Sequence, residues 1–372
     1  MAWQGPRQCL GRENLLNTLT IYCLASTVGF FSWWLTGWLA SPGSSIVSLD
    51  HPNQRSLHQT PIPRTGGVAI MGSLYLGVVI VGILGWIRSS PVESIAGLDS
   101  IGWTIVMVTG VVSIVSLMDD RRGLSIAVRF GVHFLAAFLL VIGAGLMLPS
   151  IAVPSIGFIK LGWIAVPFTV VFLVWMTNLY NFMDGMDGFA GGMTVIGCGL
   201  LGYLGWQAHH PVISVIAPLQ SAAAAGFLVH NFPPTKIFMG DVGSVSTGFL
   251  VAALIVLGCR DNVFDLWVPL IVFSPFILDA TVTLARRALR HEKVWEAHRN
   301  HYYQRMVLSG WGHRRTVLAE YEVMALCGGL ALCYQYASEE WRLVVLGAWG
   351  MVFLSLAWAV NGVEQRTERV GS

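Results

Sequence analysis

The sequence predicts an all-α polytopic integral membrane protein, because its composition and its apolar runs both fit that class. Of the 372 residues, 55% are hydrophobic and only 11% are charged, about half the charged fraction of soluble domains. Apolar runs long enough to cross a bilayer recur along the whole chain. The net charge of +2 gives no indication of a nucleic-acid partner. One membrane domain covering residues 1–372 is expected.

The apolar runs predict about 11 transmembrane helices, and no repeat or low-complexity linker divides them. The first run is too long for a signal-peptide core and is expected to remain as a membrane anchor. The six cysteines form no C-x-x-C pair, so they are expected to be reduced packing residues. The predicted helices cover residues 17–40, 66–87, 101–118, 127–148, 161–179, 187–206, 212–230, 244–259, 265–287, 319–337 and 341–361.

The distribution of basic residues predicts the orientation of these helices. Eleven spans place the two termini on opposite sides, and the loops after odd-numbered helices then share one side. Sixteen of the 22 lysine and arginine residues lie on that side. Basic loops are retained in the cytoplasm. The sequence therefore predicts a multi-pass membrane protein with its N-terminus outside the cytoplasm, and it places every polar motif on the cytoplasmic face.

The most polar membrane-adjacent stretch is 178–192, which reads N-L-Y-N-F-M-D-G-M-D-G-F-A-G-G. Asn181, Asp184 and Asp187 recur every three residues and would share one face of a helix. Such groups are costly in hydrocarbon, so they are expected at a membrane surface or in a wet cavity. Carboxylates and amides there suit a hard cation or a cation-bridged phosphate. The alternative is a polar helix end with glycines for close packing.

A second acidic motif, Asp119-Asp120, ends the third predicted helix. Adjacent carboxylates repel each other unless a cation or base lies nearby, and the helix dipole disfavours them at a C-terminus. Arg129 follows near the start of the next helix and is expected to face the same cavity. Because the two carboxylates would share one electrostatic environment, an amide at either position is expected to be severe. The alternative is a solvated helix end neutralised by Arg121 and Arg122.

Residues 231–244 carry a third motif, N-F-P-P-T-K-I-F-M-G-D-V-G-S. Asp241 stands between glycines with Ser244 just beyond, which suits metal or phosphate binding at a helix start. Phe238 offers a stacking face. The alternative is a capped turn beside a core phenylalanine.

Two further loops carry basic residues. In the first loop, Arg55, His58 and Arg64 are placed to meet an anion, or to anchor a rigid loop to lipid headgroups. The last long loop contains H-R-N-H at residues 298–301, and its histidines add nothing to membrane orientation. Asp279, in the ninth predicted helix, is either functional or satisfied by Thr283 and Arg286. The loops expected to carry the chemistry are 41–65, 119–129, 178–192, 231–244 and 286–318.

With these motifs in this order and on one face, the chain resembles the polyprenyl-phosphate N-acetylhexosamine-1-phosphate transferase family (glycosyltransferase family 4). The resemblance extends from about residue 50 to 315. It implies a Mg²⁺-dependent enzyme, with Mn²⁺ as a substitute, that transfers a sugar phosphate from a UDP-sugar to undecaprenyl phosphate and releases UMP.

The resemblance also implies roles for individual residues. Asp119 and Asp120 match a catalytic Asp-Asp motif, Asp241 matches a magnesium ligand, and Asn181 matches an asparagine that joins the metal. Asp187 and Phe238 match residues that hold and stack uracil. The expected substrate contacts are Asp184, Asp187, Asn231, Phe238, Arg129, His298, Arg299 and His301. Further basic residues expected near the substrates are Arg55, His58, Lys236 and Arg305.

Two departures from the family pattern bear on the substrate. The peptidoglycan phospho-muramoyl-pentapeptide branch has three consecutive histidines where H-R-N-H stands here, and a first-loop lysine where Arg55 and His58 stand. Both departures favour the O-antigen and enterobacterial-antigen initiating branch, with UDP-N-acetylglucosamine or a related UDP-N-acetyl-deoxyhexosamine as donor. The sequence leaves open the donor sugar, a homodimer, and direct or covalent transfer. A transporter that uses the carboxylates as a cation path is the alternative function, but no repeated halves are visible.

Overall fold

The computed structural model describes residues 12–41, 48–50, 61–87, 98–293 and 299–371, and within them the chain forms thirteen α-helices. The helices are α1 (Arg12–Leu39), α2 (Gly66–Ile87), α3 (Ser100–Arg122), α4 (Ile126–Phe138), α5 (Ala165–Met183), α6 (Phe189–Gln207), α7 (Ile213–Asn231), α8 (Gly240–Arg260), α9 (Trp267–Val272), α10 (Ser274–Leu289), α11 (Tyr302–Met306), α12 (Gly312–Tyr336) and α13 (Glu339–Gly371).

Short elements connect some of these helices. Two antiparallel ribbons pair Leu49–Asp50 (β1) with Ile62–Pro63 (β2), and Ser150–Val153 (β3) with Gly157–Lys160 (β4). A π-helical turn, Leu139–Gly143, extends α4, and a second one, Val307–Trp311, joins α11 to α12. Apart from these ribbons, the described chain is helical, which confirms the predicted all-α class.

Ten helical segments of the described chain are long and apolar enough to cross a membrane, so the protein is a multi-pass membrane protein. The predicted ninth span, 265–287, is instead divided at Phe273 into α9 and α10. Pro275 explains the division. It lies in the first turn of α10, where its missing N–H leaves no bond unmade, but it cannot continue a preceding helix.

The crossing predicted for a single ninth helix is made by α9 and α10 together. The first turn of α8 contacts the end of α5 through Asp241 and Asn181, and the first turn of α12 contacts the loop after α5 through His313 and Asp187. Because α8 and α12 begin at the same end of the bundle, the chain between them must return to that end. The described chain thus has ten candidate spans where about 11 were predicted, and the broken helix stands in the place of the other.

The centre of the fold is α8, whose residues are buried from Val242 to Gly258. Helices α2, α3, α5 and α7 pack around it. A Cβ on Gly248 would lie 2.6 Å from the Cβ of Tyr180 on α5, so only glycine permits this approach. Small residues at such contacts are typical of membrane helices, because apolar side chains gain little by leaving lipid for protein. This packing fixes the N-terminus of α8 at one end of the bundle.

Candidate functional site

The N-terminus of α8 contacts the C-terminal turn of α5 through polar side chains. Asn181 donates from Nδ2 to Asp241 Oδ1 at 3.0 Å and to Ser244 Oγ at 3.0 Å. The Asp241 side chain is 26% exposed, whereas Ser244 is fully buried. The predicted pairing of Asn181 with Asp241 is therefore present as a direct contact, and it opens toward solvent on the Asp241 side.

Arg129 joins two of the predicted carboxylates. Its Nη1 lies 3.3 Å from Asp119 Oδ2 and 3.5 Å from Asp241 Oδ2. Asp119 also accepts the backbone N–H of Leu124 at 2.6 Å, which fixes the carboxylate at the end of α3. Arg121 and Arg122 are exposed and do not neutralise the acidic pair. The alternative of a solvated, self-neutralised helix end is therefore wrong.

Asp120 faces other partners than Asp119 does. Its carboxylate accepts the backbone N–H groups of Asp241 at 3.2 Å and Val242 at 3.1 Å. Its backbone carbonyl accepts bonds from the Arg64 guanidinium and from Ser48 Oγ. Both Asp119 and Asp120 are buried. The two adjacent carboxylates therefore belong to one site but not to one shared environment.

The expected common helical face of Asn181, Asp184 and Asp187 is wrong, because α5 ends at Met183. Asp184 is the residue that terminates the helix, and Asp187 follows in a turn before α6. Loss of hydration raises the pKa of Asp184 well above its usual range, and the nearby carboxylates of Asp241, Asp120 and Asp187 add to the shift. The glycines of this stretch favoured the turn over a continued helix.

Three side chains that the sequence did not single out hold this turn. Tyr303 donates its hydroxyl to Phe182 O at 3.4 Å, and Tyr321 donates to Gly188 O at 2.7 Å. His313 Nδ1 lies 3.3 Å from Asp187 Oδ1. All three come from α11 and α12, more than 100 residues further along the chain. Only the tertiary fold brings them here, so no local pattern could have identified them.

The side chain of Asn231 forms hydrogen bonds to other residues of the protein. Its Oδ1 accepts the Gly188 N–H at 2.9 Å, and its Nδ2 donates to Ile237 O at 2.8 Å and to Thr235 Oγ1 at 3.2 Å. It therefore ties the turn after α5 to the loop before α8. In that loop Phe238 is half-buried and Lys236 is exposed, and their substrate roles stay predictions.

The histidine loop is held by Asp279. His301 Nδ1 lies 3.1 Å from Asp279 Oδ1, and the carboxylate also accepts the N–H groups of Tyr302 and Tyr303 at 2.9 and 3.2 Å. Thr283 donates to the same carboxylate at 3.2 Å, as the structural alternative predicted, whereas Arg286 lies over the Tyr302 ring. Asp279 thus caps the start of α11.

The remaining predicted site residues are basic and come from the first loop and the histidine loop. Arg305 lies over the Tyr302 ring at 4.9 Å and donates to Asn361 at 3.0 Å. Arg299 is half-buried two residues before His301. Arg55, His58 and His298 lie outside the described residues. The substrate roles of these residues stay predictions.

The residues around Asp241 fit a hard cation that is completed by a substrate. The described residues contain no group of three or more His, Cys, Asp or Glu arranged to hold a metal. Mg²⁺ is commonly held in proteins by one or two carboxylates, with substrate phosphates and water supplying the other oxygens. The Asp241 carboxylate is an oxygen ligand of that kind, and Asn181 presents its Nδ2 to that carboxylate and to Ser244 Oγ.

Comparison with known proteins adds an independent line of evidence. A family model described as Glycosyl transferase family 4 matches residues 102–259, a range that contains Asp119, Asp120, Arg129, Asn181 and Asp241. A Bacillus subtilis relative, named probable undecaprenyl-phosphate N-acetylglucosaminyl 1-phosphate transferase, is 32% identical over 279 residues, which are 74% of each chain.

Two other relatives carry the names of two different transferases. A Mycobacterium tuberculosis protein named decaprenyl-phosphate N-acetylglucosaminephosphotransferase is 31% identical over 348 residues, which are 87% of this chain and 84% of the relative. A phospho-N-acetylmuramoyl-pentapeptide-transferase from a Synechococcus species is 29% identical over 256 residues, which are 63% of this chain and 73% of the relative. The matched relatives thus include proteins named as N-acetylglucosamine phosphate transferases and a protein named as a muramoyl-pentapeptide transferase.

Proposed function

Because this chain belongs to glycosyl transferase family 4, we propose that it transfers an N-acetylaminosugar 1-phosphate from a UDP-sugar to undecaprenyl phosphate and releases UMP. Relatives covering most of the chain carry names that describe N-acetylglucosamine phosphate transfer to undecaprenyl or decaprenyl phosphate. The product would begin a lipid-linked O-antigen or another cell-surface polysaccharide. The protein would act at the cytoplasmic face of the bacterial inner membrane.

The observation that carries the proposal is the position of Arg129 between Asp119 and Asp241. These residues lie where α3, α4 and α8 meet at one end of the bundle. A polyprenyl phosphate keeps its phosphate at the membrane surface, and a UDP-sugar arrives from water, so a site at helix ends is accessible to both. A guanidinium held between carboxylates offers the charged donors that phosphate oxygens prefer. This placement at one end favours a transferase over a transporter, whose sites lie near the bilayer midplane.

In the proposed reaction, an oxygen of the lipid phosphate attacks the β-phosphorus of the UDP-sugar. The bond from that phosphorus to the bridging oxygen breaks, and UMP leaves with the electron pair. Arg129 would hold phosphate oxygens, and Asp119 would fix Arg129 in place. Asp241 and Asn181 would hold Mg²⁺, or Mn²⁺ in its place, and the bound ion would offset the charge of the phosphates. Asp187 and Phe238 would bind the uracil.

We further propose that the donor carries no peptide. The support is the H-R-N-H sequence at residues 298–301 and the absence of the first-loop lysine, both departures from the muramoyl-pentapeptide branch. The residue next to His301 in the described chain, Tyr302, is framed by Arg286 and Arg305. That arrangement suits a compact anionic sugar nucleotide better than a peptide-bearing one.

A donor panel tests this function. Purified protein in lipid vesicles with undecaprenyl phosphate is supplied with UDP-N-acetylglucosamine, UDP-N-acetylgalactosamine, UDP-glucose or UDP-muramoyl-pentapeptide, and UMP release is measured. We expect UMP only with an N-acetylaminosugar donor and only when the lipid is present. Efficient use of the pentapeptide donor contradicts the branch assignment, and the absence of UMP release with every donor in correctly folded protein contradicts the function.

A further inference from the structure

We infer that Asp120 is a positioning residue that caps the N-terminus of α8 and thereby sets Asp241, and that Arg64 holds Asp120 through its backbone carbonyl and its carboxylate. The inference deepens the proposed function, on which it rests for its activity measurements. It assigns the two members of the Asp-Asp motif to different tasks, with Asp119 at the Arg129 cluster and Asp120 at a helix terminus.

The first step is the state of the α8 N-terminus. The first backbone N–H groups of a helix have no partner within the helix, and a side chain usually accepts them. Met239, which precedes α8, makes no side-chain capping bond. Asp120 supplies that cap from another helix, because its Oδ1 and Oδ2 accept the N–H groups of Asp241 and Val242 at 3.2 and 3.1 Å. One of the capped groups thus belongs to Asp241 itself.

The turn into α8 is shaped around this carboxylate. Gly240 has φ +69°, a conformation that glycine adopts far more readily than other residues. A Cβ at Gly240 would lie 3.0 Å from Asp120 Oδ2 and 2.3 Å from the backbone oxygen of Arg64. The glycine therefore allows both Asp120 and Arg64 to approach the backbone immediately before Asp241.

The second step is the contact of Arg64 with Asp120, whose carboxylate Oδ1 lies 3.7 Å from the Arg64 guanidinium. The backbone carbonyl of Asp120 is one of the last four of α3, which lack partners within the helix. That carbonyl accepts bonds from the Arg64 guanidinium and, at 3.2 Å, from Ser48 Oγ. Arg64 Nε also donates to Ser48 Oγ at 3.4 Å. A cation at a helix C-terminus is favoured by the helix dipole, so Arg64 stabilises the end of α3.

The third step is a backbone link between Arg64 and α8. Phe238 donates its N–H to Pro63 O at 2.7 Å, and the N–H groups of Gly66 and Gly67 bond to Phe238 O and Met239 O at 2.9 and 2.7 Å. The segment around Arg64 is therefore paired along the residues that lead into α8. Arg64, Asp120 and the turn before Asp241 form one connected unit.

The different orientation of Asp119 follows from helix geometry. Successive residues of a helix point about 100° apart, so neighbouring carboxylates leave the helix in different directions. Asp119 faces Arg129 and Leu124 N, whereas Asp120 faces α8. The sequence predicts a severe effect of an amide at either position, and this division gives the two positions different reasons for it.

The test exploits the number of capping bonds that each variant can keep: asparagine has one accepting oxygen and keeps one of the two bonds, whereas alanine keeps neither. We expect Asp120→Ala to lose about a hundredfold or more in activity, mainly in kcat, and Asp120→Asn to lose clearly less than Asp120→Ala. The KM values for both substrates and the shape of the pH–rate profile from about pH 6 to 9 should stay unchanged in Asp120→Asn. Arg121→Ala, at an exposed position on the same turn, is the matched control.

The partner Arg64 is tested in a double-mutant cycle. Arg64→Met and Asp120→Ala should each lower kcat, and the double variant should fall little below the worse single variant, because both act through the same turn. If the activity losses of the two single variants multiply in the double variant, Arg64 and Asp120 act independently. That result would overturn the inference that Arg64 acts through Asp120.

Two results would overturn the inference about Asp120. One is that Asp120→Asn loses as much activity as Asp120→Ala, although the Asp120→Asn protein has the elution volume and unfolding midpoint of wild type. The other is a changed pH profile in Asp120→Asn. If wild type shows no transfer, the proposed function fails separately. Capping is then decided by unfolding midpoints, which should fall by about 2 to 4 °C in Asp120→Ala and by less in Asp120→Asn; equal midpoints for wild type and Asp120→Ala would contradict the cap.

Discussion

Asn181 and Asp241 lie 60 residues apart in sequence, yet Nδ2 of the first donates to Oδ1 of the second at 3.0 Å. The bond joins the end of α5 to the start of α8 at the point where the other polar motifs meet. Arg129 approaches the remaining oxygen of Asp241. The site is therefore built on helix ends that the packing of α8 holds fixed, and Asp241 is its common member.

Replacing the Asp241 carboxylate should abolish turnover. In Asp241→Asn we expect a loss of at least about a hundredfold, because the amide keeps the shape but removes the charge that a cation and Arg129 require. Excess Mg²⁺ should restore little. Asp261→Asn is the matched control, since Asp261 pairs with Arg260 and His210 at the end of α8 away from the site. Activity of Asp241→Asn within a few-fold of wild type would remove Asp241 as a ligand.

Removal of divalent metal should stop the reaction reversibly. A chelator added to the purified protein is expected to end UMP release, and Mg²⁺ or Mn²⁺ should restore it, because carboxylate and amide oxygens bind both ions. Binding of the UDP-sugar, measured by calorimetry with and without metal, should weaken in parallel. Full activity after exhaustive chelation would show that Arg129 and other cations suffice.

Asp119 should act through its charge and position rather than as a general base. A phosphate monoester has its second pKa near 6, so most of the lipid phosphate is already a dianion at neutral pH. A base contributes most when the nucleophile would otherwise keep its proton. Asp119→Asn should therefore lose activity by orders of magnitude, because Arg129 loses one of its partners. A pH–rate profile from about pH 6 to 9 checks this.

Raising the pH should not rescue Asp119→Asn, since deprotonation is not the missing feature. Recovery toward wild-type rates at the alkaline end would identify Asp119 as a base. Isolation of a sugar-phosphate adduct on Asp119 would instead indicate a two-step covalent route.

The orientation of the bundle is a separate prediction from the charge distribution. In a background without native cysteines, a cysteine at position 160 should react with an impermeant maleimide in intact cells, and one at position 293 should react only after permeabilisation. Lys160 and Lys293 are both exposed, so access is not limited by burial. The reverse labelling pattern would place the site outside the cell.

The sequence predicted the helices and most of the cluster because both leave local signals. The apolar run of α2 reproduces residues 66–87 without error, and Asp119, Arg129, Asn181 and Asp241 were each marked by a charge or amide at the end of an apolar run. Pro275 indicated the break at Phe273, but the prediction of one continuous helix followed hydropathy alone.

Other features had no signal of that kind. The capping of α8 by Asp120 depends on the register between α3 and α8, and the hold of Tyr321 on Gly188 depends on the return of α12 to the site. Spacing of three residues suggested a helical face at 181–187, but it could not reveal that α5 ends at Met183. Such contacts are set by tertiary packing, which a single sequence does not display.

The central claim is that phosphorus moves with the sugar, and the fate of the donor's β-phosphorus tests it most directly. UDP-N-acetylglucosamine labelled with ³²P at the β position is incubated with the protein in vesicles containing undecaprenyl phosphate, and the lipid extract and nucleotides are counted separately. We predict that the label enters the lipid extract with an equal amount of unlabelled UMP, and that Asp241→Asn abolishes the transfer. Label that stays in UDP while the sugar enters the lipid would contradict the account.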